Sequence, residues 1–405
     1  MLLCCQKSGK EFGGNVTVLT IRVLGSAPNA KRLMKLTTGA LAMISPGLVW
    51  RVDMLSHSYL LRIVLLAFLF FCGCDRKESE SPLLQSGGLS KVEAKTLTEE
   101  IVLNTIQALW VDEDYFIVTG YDRVSDCYVH VFDRQSGSAV GHIVHKGRGP
   151  DELVSLTSSW YADGILFLYS ATGMRSCSLN FKQWKSDGVY LLEDNYPEID
   201  DFGDILIGTP THSLALWNRS FLDDPIKSHE RIRVLDCDSG AVVASDCYPL
   251  DDRLKTWVMY NQPVYAVSPD FHHLILASAY HTGCTMELYE IDSNIDLVKS
   301  ECLINQDFKT DGNRFEPEDR LVAGVSSCSA SDSLFVVSFD GVTRIRDIFD
   351  GDKSPWFNRL IWFDWKFRPV RQALVDYSIA CLCMSGDTVY AIGQNQHSEM
   401  FILQL

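Results

Sequence analysis

The sequence predicts an all-β protein, a six-bladed β-propeller, and three observations lead there. After residue 95 the chain is a succession of short apolar runs, rich in Val, Ile, Tyr and Phe, separated by Asp, Gly, Ser and Asn turns. Long amphipathic helical patterns are absent. The runs also recur, with a mean period of about 54 residues, near the upper end of blade-sized repeats.

The chain of 405 residues carries a second feature upstream of this body. Ile63 to Phe71 is an apolar run that ends in Cys72-Gly73-Cys74 and turns polar at Asp75-Arg76-Lys77-Glu78. A spanning helix needs roughly 20 apolar residues, so this run suits the central region of a signal peptide instead. The small residue before Cys74 matches a bacterial lipoprotein site, where the peptidase cuts before a cysteine that becomes lipidated. Met54 to Arg62 reads as the charged start of that signal. The expectation is therefore translation from Met54, with residues 1–53 an over-extended gene-model segment, disordered or irregular. Residues 54–73 form the signal peptide, 74–95 a lipidated tether and 96–405 the propeller. Within the leading segment Val16 to Leu24 has the look of a strand. The rival reading is a cytoplasmic head followed by an uncleaved anchor. Lipid on Cys74 makes the membrane a partner and the cell envelope the address, on the outer membrane with the body facing periplasm or exterior.

Removing the eight Lys/Arg and two Asp/Glu of residues 1–73 from the chain's 36 and 52 leaves a formal net charge of −22. Such a surface repels phosphate backbones, so nucleic acid is excluded as a partner. Beyond Cys74 stand nine cysteines at 127, 177, 237, 247, 284, 302, 328, 381 and 383. Their odd number and irregular spacing match neither a disulfide framework nor a zinc site. Burial as small apolar residues is the expected role, with a Cys237–Cys247 bridge across a hairpin left open.

One repeated element is an alternating strand that ends in an acidic or polar residue and a turn: Tyr128 to Asp133, Cys177 to Asn180, Ile232 to Asp236, Met286 to Asp292, Leu360 to Asp364 and Met400 to Leu403. A fully apolar run precedes each copy: Tyr115 to Val118, Ile165 to Leu168, Ile205 to Ile207, Leu274 to Ala277, Leu334 to Val337 and Val389 to Ile392. Runs of that kind suit second strands buried on both faces between neighbouring sheets. Acidic or Gly turns lead into several of them, as at Asp112-Glu113-Asp114, Asp163-Gly164, Ser331-Asp332-Ser333 and Gly386-Asp387. The chain ends on a third strand, so Lys91 to Leu97 is expected to supply the missing outer strand and latch the ring.

Lys146-Gly147-Arg148-Gly149-Pro150-Asp151-Glu152-Leu153 is a corner between blades. Its glycines allow a tight path with φ > 0, Pro150 stiffens it, and Arg148, Asp151 and Glu152 are placed to tie it to a neighbour. A phosphate loop would need Gly-Lys-Ser/Thr and a following helix, which are missing. With this corner, with Ala330 to Val336 and with Ile361 to Asp364, the chain resembles the TolB-like six-bladed propeller lipoproteins of Bacteroidetes. The resemblance covers roughly residues 95–405 and implies no catalytic residues. Asp151 departs from the glycine more usual there.

Loops between second and third strands gather on one face and contribute Tyr121, Asp122, Arg123, Ser170, Thr172, Thr211, His212, Tyr280, His281, Asp340, Asn395 and His397. These are the candidate ligand-face residues, with solvated loop roles as the plainer account. Eight tryptophans follow the leader, and filling the space between blades is their expected role. No G-x-S-x-G, H-E-x-x-H or EF-hand-like loop occurs. The expected function is a lipid-anchored, non-catalytic module that binds a protein or glycan and needs no cofactor. The alternative is a metal-assisted hydrolase or lyase at the channel mouth, served by a divalent cation such as calcium.

Overall fold

The computed structural model describes residues 3–5, 21–23, 88–172, 175–194, 205–208, 212–216, 232–236, 242–245, 263–278, 285–304, 309–311, 314–316 and 321–405. The signal peptide, Cys74, Cys237, Cys247, Thr211, Tyr280 and His281 lie outside the described residues. The chain divides into two units, Met1–Asp75 and Arg76–Leu405. In the first, β1 (Leu3–Cys5) pairs antiparallel with β2 (Ile21–Val23), so a strand does fall within Val16 to Leu24, in a stretch expected to be irregular.

The second unit is an all-β propeller. It opens with two short strands, β3 (Leu89–Lys91) and β4 (Lys95–Thr96). The first sheet holds β5 (Ala108–Val111), β6 (Tyr115–Asp122), β7 (Cys127–Asp133), β8 (Ala139–Lys146) and β9 (Glu152–Leu153). The second holds β10 (Ser158–Ala162), β11 (Ile165–Ser170), β12 (Arg175–Asn180) and β13 (Leu192–Asp194), with helix α1 (Phe181–Asp187) inserted between β12 and β13. The third is β14 (Ile205–Gly208), β15 (His212–Leu216), β16 (Ile232–Asp236) and β17 (Val242–Ser245). The fourth is β18 (Val264–Val267), β19 (His273–Ala277), β20 (Thr285–Ile291) and β21 (Ile295–Cys302), followed by a hairpin of β22 (Lys309–Asp311) and β23 (Arg314–Glu316). The fifth is β24 (Val325–Ala330), β25 (Leu334–Phe339), β26 (Arg359–Asp364) and β27 (Pro369–Leu374), with helix α2 (Ile345–Phe349) after β25. The last is β28 (Ser378–Ser385), β29 (Thr388–Gln394) and β30 (Met400–Gln404).

Each of these sheets is a meander in sequence order, antiparallel throughout except where β9 joins β8 in parallel. Among the first strands, β5 runs beside β10 and β28, β10 beside β14, and β24 beside β18 and β28. Five first strands, β5, β10, β18, β24 and β28, line one central cavity. The expectation of six blades around the channel is corrected accordingly: among the described residues, five blades line the cavity. The register of the third sheet is also corrected. Ile205 to Ile207 is its first strand rather than its second, because β14 pairs only with β15.

The apolar runs do sit between sheets. Along β6, Phe116 and Val118 join the core shared with the last sheet, while Ile117 joins the core shared with the second. In β25, Phe335 and Val337 face the fourth sheet and Val336 faces the last. Alternate residues of one strand thus serve two cores, which is why these segments show no polar face. Each fully buried side chain of this size contributes about 1.5–3 kcal/mol.

The ring is latched by the N-terminal segment. β4 pairs with β30, Lys95 opposite Gln404 and Thr96 opposite Leu403, and Thr98 Oγ1 accepts the Ile402 amide at 3.0 Å. One strand beyond expectation belongs to the latch: β3 lies parallel to β27, with Leu89 opposite Gln372. The stretch read as tether up to residue 95 therefore already enters the sheets at Leu89.

Candidate functional site

The cavity has a volume of about 830 Å³, within the range of small-ligand sites. Its wall is built from the small and aromatic residues of the first strands. Trp110 from β5 and Trp160 from β10 meet edge to face with ring centroids 5.3 Å apart. Trp160 also meets Phe271, 5.9 Å away, from the turn after β18. Tyr265 joins this wall, and burial pushes its hydroxyl above the usual range. Trp110 and Trp160 are half-buried, so the expected filling role between blades is corrected for these two: each gives one part to a core and the other to the channel.

Polar partners hold the wall. Ser159 Oγ accepts from Trp110 Nε1 at 3.1 Å and lies 2.7 Å from Thr119 Oγ1. Ser327 and Ser329 Oγ accept the amides of Leu382 and Met384, both at 2.9 Å, and so stitch β24 to β28 without a backbone ladder. Trp160 Nε1, by contrast, is buried with no hydrogen-bond partner, an omission that costs about 1–3 kcal/mol.

Cys127, Cys177, Cys302, Cys328, Cys381 and Cys383 are free thiols, and the last three line the cavity. Burial raises all three, Cys383 to about 12, so none is a thiolate near neutrality. At the end where first strands turn into second strands, Tyr161 donates to Asp112 Oδ2, and Lys185 of α1 donates to Asp112 Oδ1 and, at 3.1 Å, to Asp114. Burial opposes ionisation of Asp112, yet the bonds from Lys185 and Tyr161 hold its carboxyl below the usual range. Burial and then Asp112 push the Tyr161 hydroxyl well up. This cluster joins the first sheet to the second and leaves no proton to exchange near pH 7.

The loop residues expected on the ligand face are mostly spent on their own turns. Asp122 is buried and accepts from the amides of Val124 and Ser125, both 2.9 Å, and from Ser125 Oγ. Asp340 accepts the amides of Val342, Thr343 and Trp356, each at 2.8 Å. Asn395 Oδ1 accepts from His397 and Glu399 amides. Tyr121 donates to Asp126 at 2.9 Å, with Lys146 over its ring. Ser170 Oγ lies 3.0 Å from Ser155 Oγ, while the side chains of Arg123, Thr172 and His397 are exposed. His212 is corrected: it opens β15 opposite Asp236 of β16, at the other end of its sheet from these loops. Among the described residues no group of three or more His, Cys, Asp or Glu is placed to hold a metal.

The corner motif is a closed loop. β9 runs parallel to β8, Glu152 Oε2 accepts the Gly149 amide at 2.8 Å, and a Cβ on Gly147 would lie 1.8 Å from that carboxylate oxygen. Neither Gly147 nor Gly149 has positive φ, so the expected reason for the glycines is corrected from backbone freedom to close approach. Asp151 ties the corner to the second sheet through the Leu192 amide at 2.9 Å. Arg175 completes the tie by donating to the carbonyls of Glu152 at 2.7 Å and Pro150 at 2.5 Å while pairing with Asp194. Arg148 is exposed.

What sequence reasoning missed is the channel wall itself. Its signal was small residues where a core strand would carry large ones: Val325 to Ala330 reads Val-Ser-Ser-Cys-Ser-Ala and Ser158 to Ala162 reads Ser-Ser-Trp-Tyr-Ala.

No family model matches the chain, and no curated protein does. Among solved structures it is similar to a DUF4221 family member from Bacteroides vulgatus, at 10% identity with a TM-score of 0.49, over 78% of this chain and 96% of that one. It is similar to a protein from Bacteroides fragilis described as exported, at 10% identity and 0.46, over 77% and 94%. BamB from Moraxella catarrhalis follows at 10% identity and 0.33, over 73% and 69%. A TolB-like membership is not confirmed by these similarities, and the propeller assignment rests on the sheet topology.

Proposed function

We propose that the chain is a lipid-anchored propeller of the bacterial envelope, a non-catalytic module whose central channel binds a protein or glycan ligand. The observation that carries this reading is the wall of the 830 Å³ cavity, where aromatic rings and hydroxyl groups converge and the thiols are held protonated. The anchor rests on the Gly73-Cys74 ending of the apolar run. A cysteine carrying two acyl chains holds a protein at a membrane where one chain is marginal. The metal-assisted alternative loses ground from the placement of its carriers, since Asp122 caps a turn and His212 stands at the other end of its sheet.

Two measurements test this. Mass spectrometry of the membrane-extracted protein should give an N-terminus at Cys74 with lipid attached, and Cys74→Ala should release the protein from membranes; retention of that variant contradicts the anchor. Glycan and envelope-protein arrays probed with the wild type and with Trp160→Ala should show binding that the variant loses. Turnover of ester or glycoside substrates by the wild type that calcium stimulates would favour the hydrolase instead.

A further inference from the structure

Resting on the channel as the binding site, we infer that its ligand presents an ammonium or guanidinium group on an apolar stem. The first argument is charge. Turns that directly follow channel-lining strands share one mouth, and every described one carries an acid: Asp112, Glu113 and Asp114 after β5, Asp163 after β10, Asp270 after β18, Asp332 after β24 and Asp387 after β28. Asp163 and Asp270 themselves line the cavity. Lys185 compensates Asp112 and Asp114, and Asp270 is held by Ser268 Oγ and the His272 amide. Asp163, Asp332 and Asp387 are exposed and have no ion pair among the described residues. Their summed field attracts cations and repels anions at this mouth.

The second argument is independent of charge. Behind the mouth stands the run Trp110, Trp160 and Phe271, joined edge to face. A phenyl ring at position 160 would line the wall without leaving a buried donor unpaired, whereas the indole there leaves Nε1 without a partner. What the indole adds is the ring face that attracts cations most strongly. An acidic rim before an indole wall fits a cationic head that enters first and an apolar stem that follows. The same chemistry is offered by a free organic amine and by a Lys or Arg side chain of a partner protein.

The test uses the full chain in detergent, with tryptophan fluorescence as readout. The probes are benzyltrimethylammonium, its neutral counterpart benzyl alcohol, and a short peptide with a terminal arginine. The expected result is saturable quenching by the ammonium probe or the arginine peptide, whichever is the native source, with at least tenfold weaker response to benzyl alcohol. Trp160→Phe, which keeps an aromatic wall, should weaken binding several-fold. Asp163→Asn/Asp332→Asn/Asp387→Asn, confined to exposed turns, should weaken it several-fold at low salt, and that difference should vanish near 0.5 M salt, where the screening length is only about 4 Å. Equal binding of benzyl alcohol overturns the inference and leaves the binding module standing. Cation binding unchanged in both variants places the cation elsewhere and also overturns it. Neutral glycan binding that Trp160→Ala abolishes, with no response to either cation, overturns the inference alone.

Discussion

Trp160 and Phe271 stand edge to face, ring centroids 5.9 Å apart, although the whole third sheet separates them in sequence. The second and fourth sheets therefore touch at the channel wall. Trp160 packs there against a core that joins Val267, Leu274 and Tyr289 of the fourth sheet to Ile232 and Val234 of the third. Trp160→Ala should lower stability by about 2–4 kcal/mol, since large aromatic truncations in cores cost up to 5 and this ring is only half-buried. Urea denaturation followed by circular dichroism measures it, and a loss below about 0.5 kcal/mol would remove the ring from the wall.

Gly147 and Glu152 make a second testable pair. Gly147→Ala sets a methyl group against the Glu152 carboxylate, and overpacking of that kind costs about 1–3 kcal/mol. In a Glu152→Ala background the same change should cost much less. A double-mutant cycle on thermal stability reads the coupling, and strict additivity would contradict the close approach.

Arg175 holds the corner by backbone carbonyls on one side and Asp194 on the other. Arg175→Ala should cost about 1.5–3 kcal/mol, the range for bonds to a charged group. Arg175→Lys should restore less than half, because an ammonium cannot reproduce the planar fork. Melting temperatures of the two variants decide this, and full rescue by lysine would reduce the tie to simple charge.

His130 is fully buried, and burial followed by the neighbouring His142 lowers its pKa to about 4. His130 Nδ1 lies 2.9 Å from His142 Nδ1 and His130 Nε2 lies 3.3 Å from the Gly120 carbonyl. The unfolded chain takes up this proton near pH 6.5, the folded chain only near 4, so the contribution is complete above 6.5 and declines as pH falls towards 4. Over that window the loss reaches about 3 kcal/mol. His130→Asn should flatten the stability profile between pH 7 and 5 in urea titrations; an unchanged slope would assign the acid sensitivity to other groups.

The latch makes β3 and β4 part of the fold. Removal of residues 1–87 should leave the melting temperature within about 2 °C, since β3 and β4 stay in place. Removal of residues 1–98 takes away both strands and the Thr98 bond to Ile402, and leaves the outer edges of the last two sheets unpaired. That variant should melt many degrees lower and aggregate, as open edges do. Equal melting of both truncations would show the latch to be dispensable.

Strand identity and turn chemistry are readable in the sequence itself. The run Tyr115 to Val118 announced a strand buried on both faces, because a strand between two sheets has no polar side to show. Asp163-Gly164 announced its hairpin, and both residues adopt the left-handed conformation that a two-residue turn of this type demands. The acids that end the alternating strands cap the next turn, as Asp133 and Asp364 do by accepting amides two to four residues on. All of these are local effects, decided by residues close in sequence.

Which polar residues remain available to a ligand was decided only by tertiary structure. Asp122, Asp340 and Asn395 looked like a ligand ring, yet each is consumed by its own loop. Trp110 and Trp160, 50 positions apart in the chain, became one wall because neighbouring first strands converge on the axis. Local sequence sets how a segment pairs and where it turns. The meeting of distant strands around a common cavity depends on how whole sheets pack, and no short stretch of residues encodes that.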